Sequence, residues 1–120
     1  MAVCRYLVDD VDASVAFYAR LGFEVDQQFG STIAIMRRDD LVLWVAGPDA
    51  SAARPMPDGR RPEPGGWNRF VVTVDDLAGT VEDLRAAGVS FRNDVVTGPG
   101  GQQILAEDPS GNVVELFQPA

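Results

Sequence analysis

Val8-Asp9-Asp10-Val11 opens a stretch that closes on Leu21-Gly22-Phe23, and Val74-Asp75-Asp76-Leu77 opens a second that closes on Ala87-Gly88-Val89. The two align without a gap at a spacing of 66 residues, Asp10 on Asp76 and Gly22 on Gly88. In the first, Val11, Val15, Tyr18 and Leu21 recur at helical spacing; in the second, Leu77, Val81, Leu84 and Ala87 do so. The paired aspartates stand where a side-chain oxygen caps the first N–H groups of a helix and where negative charge meets the positive end of its dipole. Gly22 and Gly88 stand where helices end in a left-handed residue. Each stretch is read as a short strand running into an amphipathic helix.

Outward from each helix, alternating apolar residues and turn signals place further strands. The first half is expected to hold Phe23–Phe29, Ser31–Arg37 and Asp40–Ala46; the second, Phe91–Thr97, Gln102–Glu107 and Val113–Gln118. Gly98-Pro99-Gly100-Gly101 and Asp108-Pro109-Ser110-Gly111-Asn112 supply turns between the later strands. The pattern is βαβββ written twice, an α+β chain read as one domain over residues 1–120. Module 1 spans 1–46, a linker 47–66, and module 2 67–120. The linker holds Pro48, Pro55, Pro57, Pro62 and Pro64, and its length marks it as a lid or a module connector. One module's sheet is too small to close alone, so the two are expected to join into one curved, mixed sheet forming a cup with helices outside.

Composition narrows the chemistry. The 120 residues carry 10 Lys+Arg, all of them Arg, against 18 Asp+Glu, a formal charge of −8. Such a surface repels phosphate backbones, so nucleic acid is not expected as a partner, and it suits a cationic small molecule better than an anionic one. No apolar run is long enough to cross a membrane, and no basic segment leads into an apolar one at the start, so no membrane partner is expected. The single cysteine, Cys4, allows no internal disulfide and fits a reducing, cytoplasmic setting. Cys4 lacks a visible activating base and reads as core packing. Histidine is absent. That removes Ser-His-Asp and Cys-His nucleophilic sites and the commonest metal ligand.

With these pieces in place, the sequence resembles the vicinal oxygen chelate superfamily, which includes glyoxalase I, bleomycin-resistance proteins and extradiol dioxygenases. The resemblance rests on Val8-Asp9-Asp10…Ser14…Phe17-Tyr18…Leu21-Gly22-Phe23 and on Asp108-Pro109-Ser110-Gly111-Asn112-Val113-Val114-Glu115-Leu116, and it covers essentially the whole chain. In the family's metal enzymes the ligands come from the first and last strands of each module. Matched on these landmarks, the positions are Val3, Leu43, Arg69 and Glu115. Only Glu115 can ligate a cation, and Arg69 repels one. The resemblance therefore implies the metal-free, bleomycin-resistance-like branch, with no cofactor and with a homodimer whose pockets are lined by both chains.

Strand alternation gives the candidate cup. With Val3 inward, Arg5 and Leu7 share its face while Cys4 and Tyr6 turn to the helices. Leu43 is expected inward with Leu41 and Val45, leaving Trp44 on the other face. Arg69 brings Trp67 and Val71; Glu115 brings Phe117; Gln103 completes the set. Arg69 and Glu115 are expected to pair where a metal would otherwise sit. That pair is structural, or contacts a ligand, or leaves Glu115 to act as a general base.

Three functions follow. The first is a metal-free protein that sequesters an aromatic, hydrophobic drug or natural product, as in antibiotic resistance, without chemistry on it. The second is a metal-independent isomerase, lyase or cyclase with Glu115 as base and Arg69 stabilising an oxyanion. The third is a partner protein whose cup is filled by its own side chains. The first is the leading expectation, with no catalytic residue assigned and an aromatic small molecule as ligand.

Overall fold

A computed structural model describes residues 2–120. The repeat is visible in the helices, α1 at Val11–Arg20 and α2 at Leu77–Ala86, which stand 66 residues apart at both ends. Asp10 caps the first through a hydrogen bond from the Ala13 N–H at 3.0 Å, and Asp76 caps the second through the Gly79 N–H at 3.0 Å. Gly22 (φ 88°) and Gly88 (φ 86°) end them in the left-handed region that a side chain would strain.

In the first half, β1 (Val3–Leu7), β2 (Glu24–Phe29), β3 (Ile33–Arg38) and β4 (Leu41–Ala46) form a sheet ordered β1-β4-β3-β2, with β1 parallel to β4. In the second half, β5 (Val71–Thr73), β6 (Ser90–Phe91), β7 (Val96–Gly98), β8 (Gly101–Glu107) and β9 (Val113–Pro119) form a sheet ordered β5-β9-β8-β6, with β7 also on β8. The fold is α+β, two tandem modules with mixed sheets.

Two expectations need correction. The modules do not merge into one hydrogen-bonded sheet; there are two. At the seam, the Tyr6 hydroxyl reaches from the first module to bridge two backbone groups of the second, donating to the Val113 carbonyl at 2.7 Å and accepting from the Phe70 N–H at 3.4 Å. The Phe70 ring lies 5.0 Å from Tyr6 and 5.9 Å from Phe23, an aromatic wedge between the backbones. The run Phe91–Thr97 is also not one strand. Arg92 turns away to bond Glu107 and the carbonyls of Gly66 and Gly111, while the Asn93 side chain accepts the Leu105 N–H, and β6 and β7 flank that break.

One apolar core runs through both modules. Tyr18, Leu43, Val45 and Met36 pack with Val72, Leu77, Ile104 and Leu116, and Cys4 lies against them. The Asp-Pro-Ser-Gly-Asn turn stitches this core together. Buried Asp108 accepts from the Tyr18 hydroxyl, the Ser110 and Asn112 N–H groups and the Asn112 amide, all at 2.7–3.0 Å. Asn112 donates to the Leu7 carbonyl and accepts from Gly65 N–H, and the Ser110 hydroxyl accepts from Asp9 N–H. The motif thus ties module 1, the linker end and module 2 at one point. Among the described residues no helix is long and apolar enough to cross a membrane.

Tyr6 and Tyr18 are the chain's two tyrosines, and burial pushes both phenols above their ordinary 10.0, with the Asp108 charge adding to the rise at Tyr18. A raised folded value means the native chain keeps protons that the unfolded chain releases, so this stability is present below pH 10 and is lost as pH climbs above it. Two such groups remove about 2 kcal/mol between pH 10 and 11. Tyrosinate absorbance at 295 nm is expected to rise together with loss of circular dichroism. Independent titration near pH 10 on an intact fold contradicts this.

Candidate functional site

Each sheet has a face turned away from the helices, and the pairing registers define it. On the first sheet the rows are Val3–Val42–Arg37–Glu24, Arg5–Trp44–Ile35–Gln27 and Leu7–Ala46–Ile33–Phe29. On the second they are Val71–Glu115–Leu105 and Thr73–Phe117–Gln103–Val96, with Val113 and Glu107 in the next row. Alternation selects these residues because the intervening ones, among them Cys4, Tyr6, Ala34, Met36, Val72, Ile104 and Leu116, pack against the helices.

This register corrects the expectation for β4. Leu43 pairs with Cys4 and Val45 with Tyr6, and both leucine and valine are fully buried on the helix side. Leu41 packs there too. Trp44 is the residue that shares the face of Arg5, and the Arg5 guanidinium lies 4.9 Å from its ring centroid. Leu43 leaves the candidate site and Trp44 enters it.

The structure places Arg5 and Leu7 on the open face of the first sheet. It places Val71, Gln103, Glu115 and Phe117 on that of the second, with Arg69 and Trp67 in the segment leading into β5. Arg69 reaches Glu115 through Nε at 3.0 Å and Nη2 at 2.9 Å, both to Oε1, and its Nη1 donates to the Trp67 carbonyl at 3.3 Å. Glu115 is 8% exposed. A carboxylate so desolvated is costly unless paired, and the guanidinium meets that need on one oxygen while Oε2 lies outside the pair.

Two residues invisible to the sequence reading complete this patch. Arg92 stacks on Trp67 at 4.5 Å from the ring centroid and pairs with Glu107 at 3.0 Å. Trp67 remains 67% exposed, an indole held from one side with its other face free. Arg92 holds the Trp67 ring and Glu115 holds Arg69, which in turn donates to the Trp67 carbonyl, a degree of preorganisation that favours binding.

The positions that carry metal ligands elsewhere in the resembled family do not fit a cation. Leu43 points into the core, Arg69 occupies its own position with positive charge, and it holds Glu115 Oε1. Among the described residues no three His, Cys, Asp or Glu side chains converge. A divalent ion needs several such donors.

A single chain leaves these faces open. Of its cavities of about 470, 450, 410 and 370 Å³, the first lies between α1, the turn after α2 and the β8–β9 turn and is bordered by Glu107, the second is bordered by Glu24 and Arg37 and the third by Arg92; Arg5, Trp44, Trp67, Arg69 and Glu115 line none of these four. On these faces Val71 is 50% and Phe29 55% exposed, whereas Val42, Ala46, Leu105, Val113 and Glu115 are buried.

Residues 1–116 match the family described as Glyoxalase/Bleomycin resistance protein/Dioxygenase superfamily. No curated protein sequence matches the chain. Among solved structures, a lactoylglutathione lyase from Agrobacterium tumefaciens is similar over 98% of this chain and 92% of its own, at 22% identity and a TM-score of 0.71. A bleomycin-binding protein complexed with bleomycin is similar over 100% and 98%, at 24% identity and 0.66. A genomically encoded fosfomycin resistance protein from Listeria monocytogenes is similar over 100% and 93%, at 14% identity and 0.75. At these identities the structural likenesses carry the fold.

Proposed function

Starting from the fact that the chain belongs to the glyoxalase/bleomycin resistance protein/dioxygenase superfamily, we propose that it is a metal-free binding protein that sequesters an aromatic, hydrophobic small molecule. The observation that carries this reading is the Arg69–Glu115 pair at 2.9 Å, which replaces a ligand set by an internally neutralised couple beside Trp67, Val71 and Phe117. Aromatic and apolar area supplies affinity there, and a few fixed polar groups supply orientation. A bleomycin-binding protein among the structural neighbours agrees with a role of this kind, while a lyase and a fosfomycin resistance protein share the same fold.

The proposal includes a homodimer. Open faces with an exposed Trp67 and Val71 do not surround a ligand, whereas a facing copy supplies the second wall. The single domain of modules 1–46 and 67–120, joined by 47–66, then acts in the cytoplasm without a cofactor. Light scattering is expected to give twice the 12.9 kDa chain mass, and ligand retention is expected to survive treatment with EDTA. Loss of binding on chelation overturns the metal-free reading.

One observation favours a second reading. Because both Arg69 contacts go to Oε1, Glu115 Oε2 is available to take a proton from a bound substrate, with Arg69 beside it to stabilise the developing oxyanion. Glu115→Gln separates the two. A sequestering protein changes affinity modestly, whereas an isomerase or lyase loses about 10²–10⁴-fold in rate.

A further inference from the structure

We propose that the ligand carries an oxyanion on its apolar body, and that Arg5, held against Trp44, receives that group. The inference rests on the binding reading above and specifies the charge of what is bound. Four arginines border the open faces. Arg37 is paired with Asp26 at 2.9 Å, Arg69 with Glu115 at 2.9 Å and Arg92 with Glu107 at 3.0 Å. Arg5 has no carboxylate within 4 Å and no side-chain hydrogen bond among the described residues; its one contact of this kind is the Trp44 ring. It lies in the row Arg5–Trp44–Ile35–Gln27, which carries no acid. The acidic residues of that face, Glu24 and Asp26, sit on the far strand beside Arg37.

A guanidinium stacked on an indole is fixed in orientation but keeps its N–H groups directed outward in its own plane, the geometry that a carboxylate, sulfonate or phosphonate accepts bidentately. Apolar surface adjoins it: Leu7, Ile33 and Phe29 lie in the next row, Leu7 and Ile33 half-buried and Phe29 exposed. An anion on an apolar body therefore finds both of its needs within one patch. The chain's charge of −8 opposes this assignment only at a distance, because at physiological ionic strength such fields fade within about 8 Å, and at contact Arg5 decides. The cationic ligand that composition favours meets no unpaired carboxylate on this row.

The test is isothermal titration of the full chain with 2-naphthoate, its neutral methyl ester and 2-naphthylmethylammonium, repeated on Arg5→Gln and Arg5→Lys. Arg5 is exposed, so both variants are expected to fold, and circular dichroism checks this. The carboxylate is expected to bind about ten- to a hundredfold more tightly than the ester or the ammonium. Arg5→Gln is expected to bring the acid down to the ester's affinity, and Arg5→Lys retains part of the preference because a point charge replaces the planar fork. An ester bound as tightly as the acid, a preferred ammonium, or a preference that survives Arg5→Gln overturns the anion assignment and leaves the binding reading standing. Failure of acid, ester and ammonium alike to bind the unsubstituted chain overturns both.

Discussion

Asp108→Ala is expected to lower folding stability by about 3–5 kcal/mol, more than any other single substitution considered, because it strands several buried donors at once. Asp108 is 4% exposed and accepts four hydrogen bonds, one from Tyr18 on α1 and three within its own turn. Removing the carboxylate leaves the Tyr18 hydroxyl without its partner in a closed core and loosens the turn that places Asn112 against the Leu7 carbonyl. The two modules should then lose their joint as well as their local order. Tyr18→Phe is the control, since it deletes one of the four hydrogen bonds to the carboxylate and costs about 1.5–3 kcal/mol. Urea denaturation of both variants measures the difference. Equal losses would show that Asp108 is an ordinary turn residue and that the seam is held elsewhere.

Arg69→Ala is expected to cost about 2–3 kcal/mol, because it leaves the desolvated Glu115 carboxylate without its counter-charge. Arg69 is itself partly open to solvent, its side chain 30% exposed against 11% for Glu115, which holds the figure below that of a fully enclosed pair. The informative variant is the double one. Arg69→Met with Glu115→Leu removes both charges and puts apolar volume in their place, and it is expected to recover most of the loss. Ligand binding should not recover with it, since the polar groups that orient the ligand are gone. A double variant as unstable as Arg69→Ala would mean that Arg69 serves the fold through its contact with the Trp67 carbonyl rather than through the ion pair.

The repeat, both helices with their caps, and the strand positions of the first module were legible because each depends on local chemistry: an aspartate at a helix start, a glycine at its end, and alternation between turns. Arg69 and Glu115 were marked by the family resemblance, matched on the Asp-Asp and Asp-Pro-Ser-Gly-Asn landmarks, and the 66-residue spacing supports Arg69 alone by setting it against Val3. The face of β4 was not. Leu41-Val42-Leu43-Trp44-Val45-Ala46 is apolar at every position, so alternation cannot choose a side, and only the register with β1 puts Trp44 beside Arg5. Arg92 and Glu107 escaped for another reason. Their roles depend on a strand break created by side-chain bonds to residues from Gly66 to Gly111, distant in sequence and close only in the folded chain. The seam was hidden likewise, because nothing in the local sequence says that the Tyr6 hydroxyl reaches across to the Val113 carbonyl and the Phe70 N–H.

The central claim is that this chain binds a small aromatic molecule without metal and without altering it. Native mass spectrometry tests it most directly, with the metal-depleted protein mixed with a panel of aromatic antibiotics and metabolites and the released ligand weighed and chromatographed afterwards. The account predicts a dimer that retains ligand and releases it with unchanged mass and retention time. A released compound of altered mass, or an isomer with a new retention time, contradicts it and makes Glu115 a catalytic base.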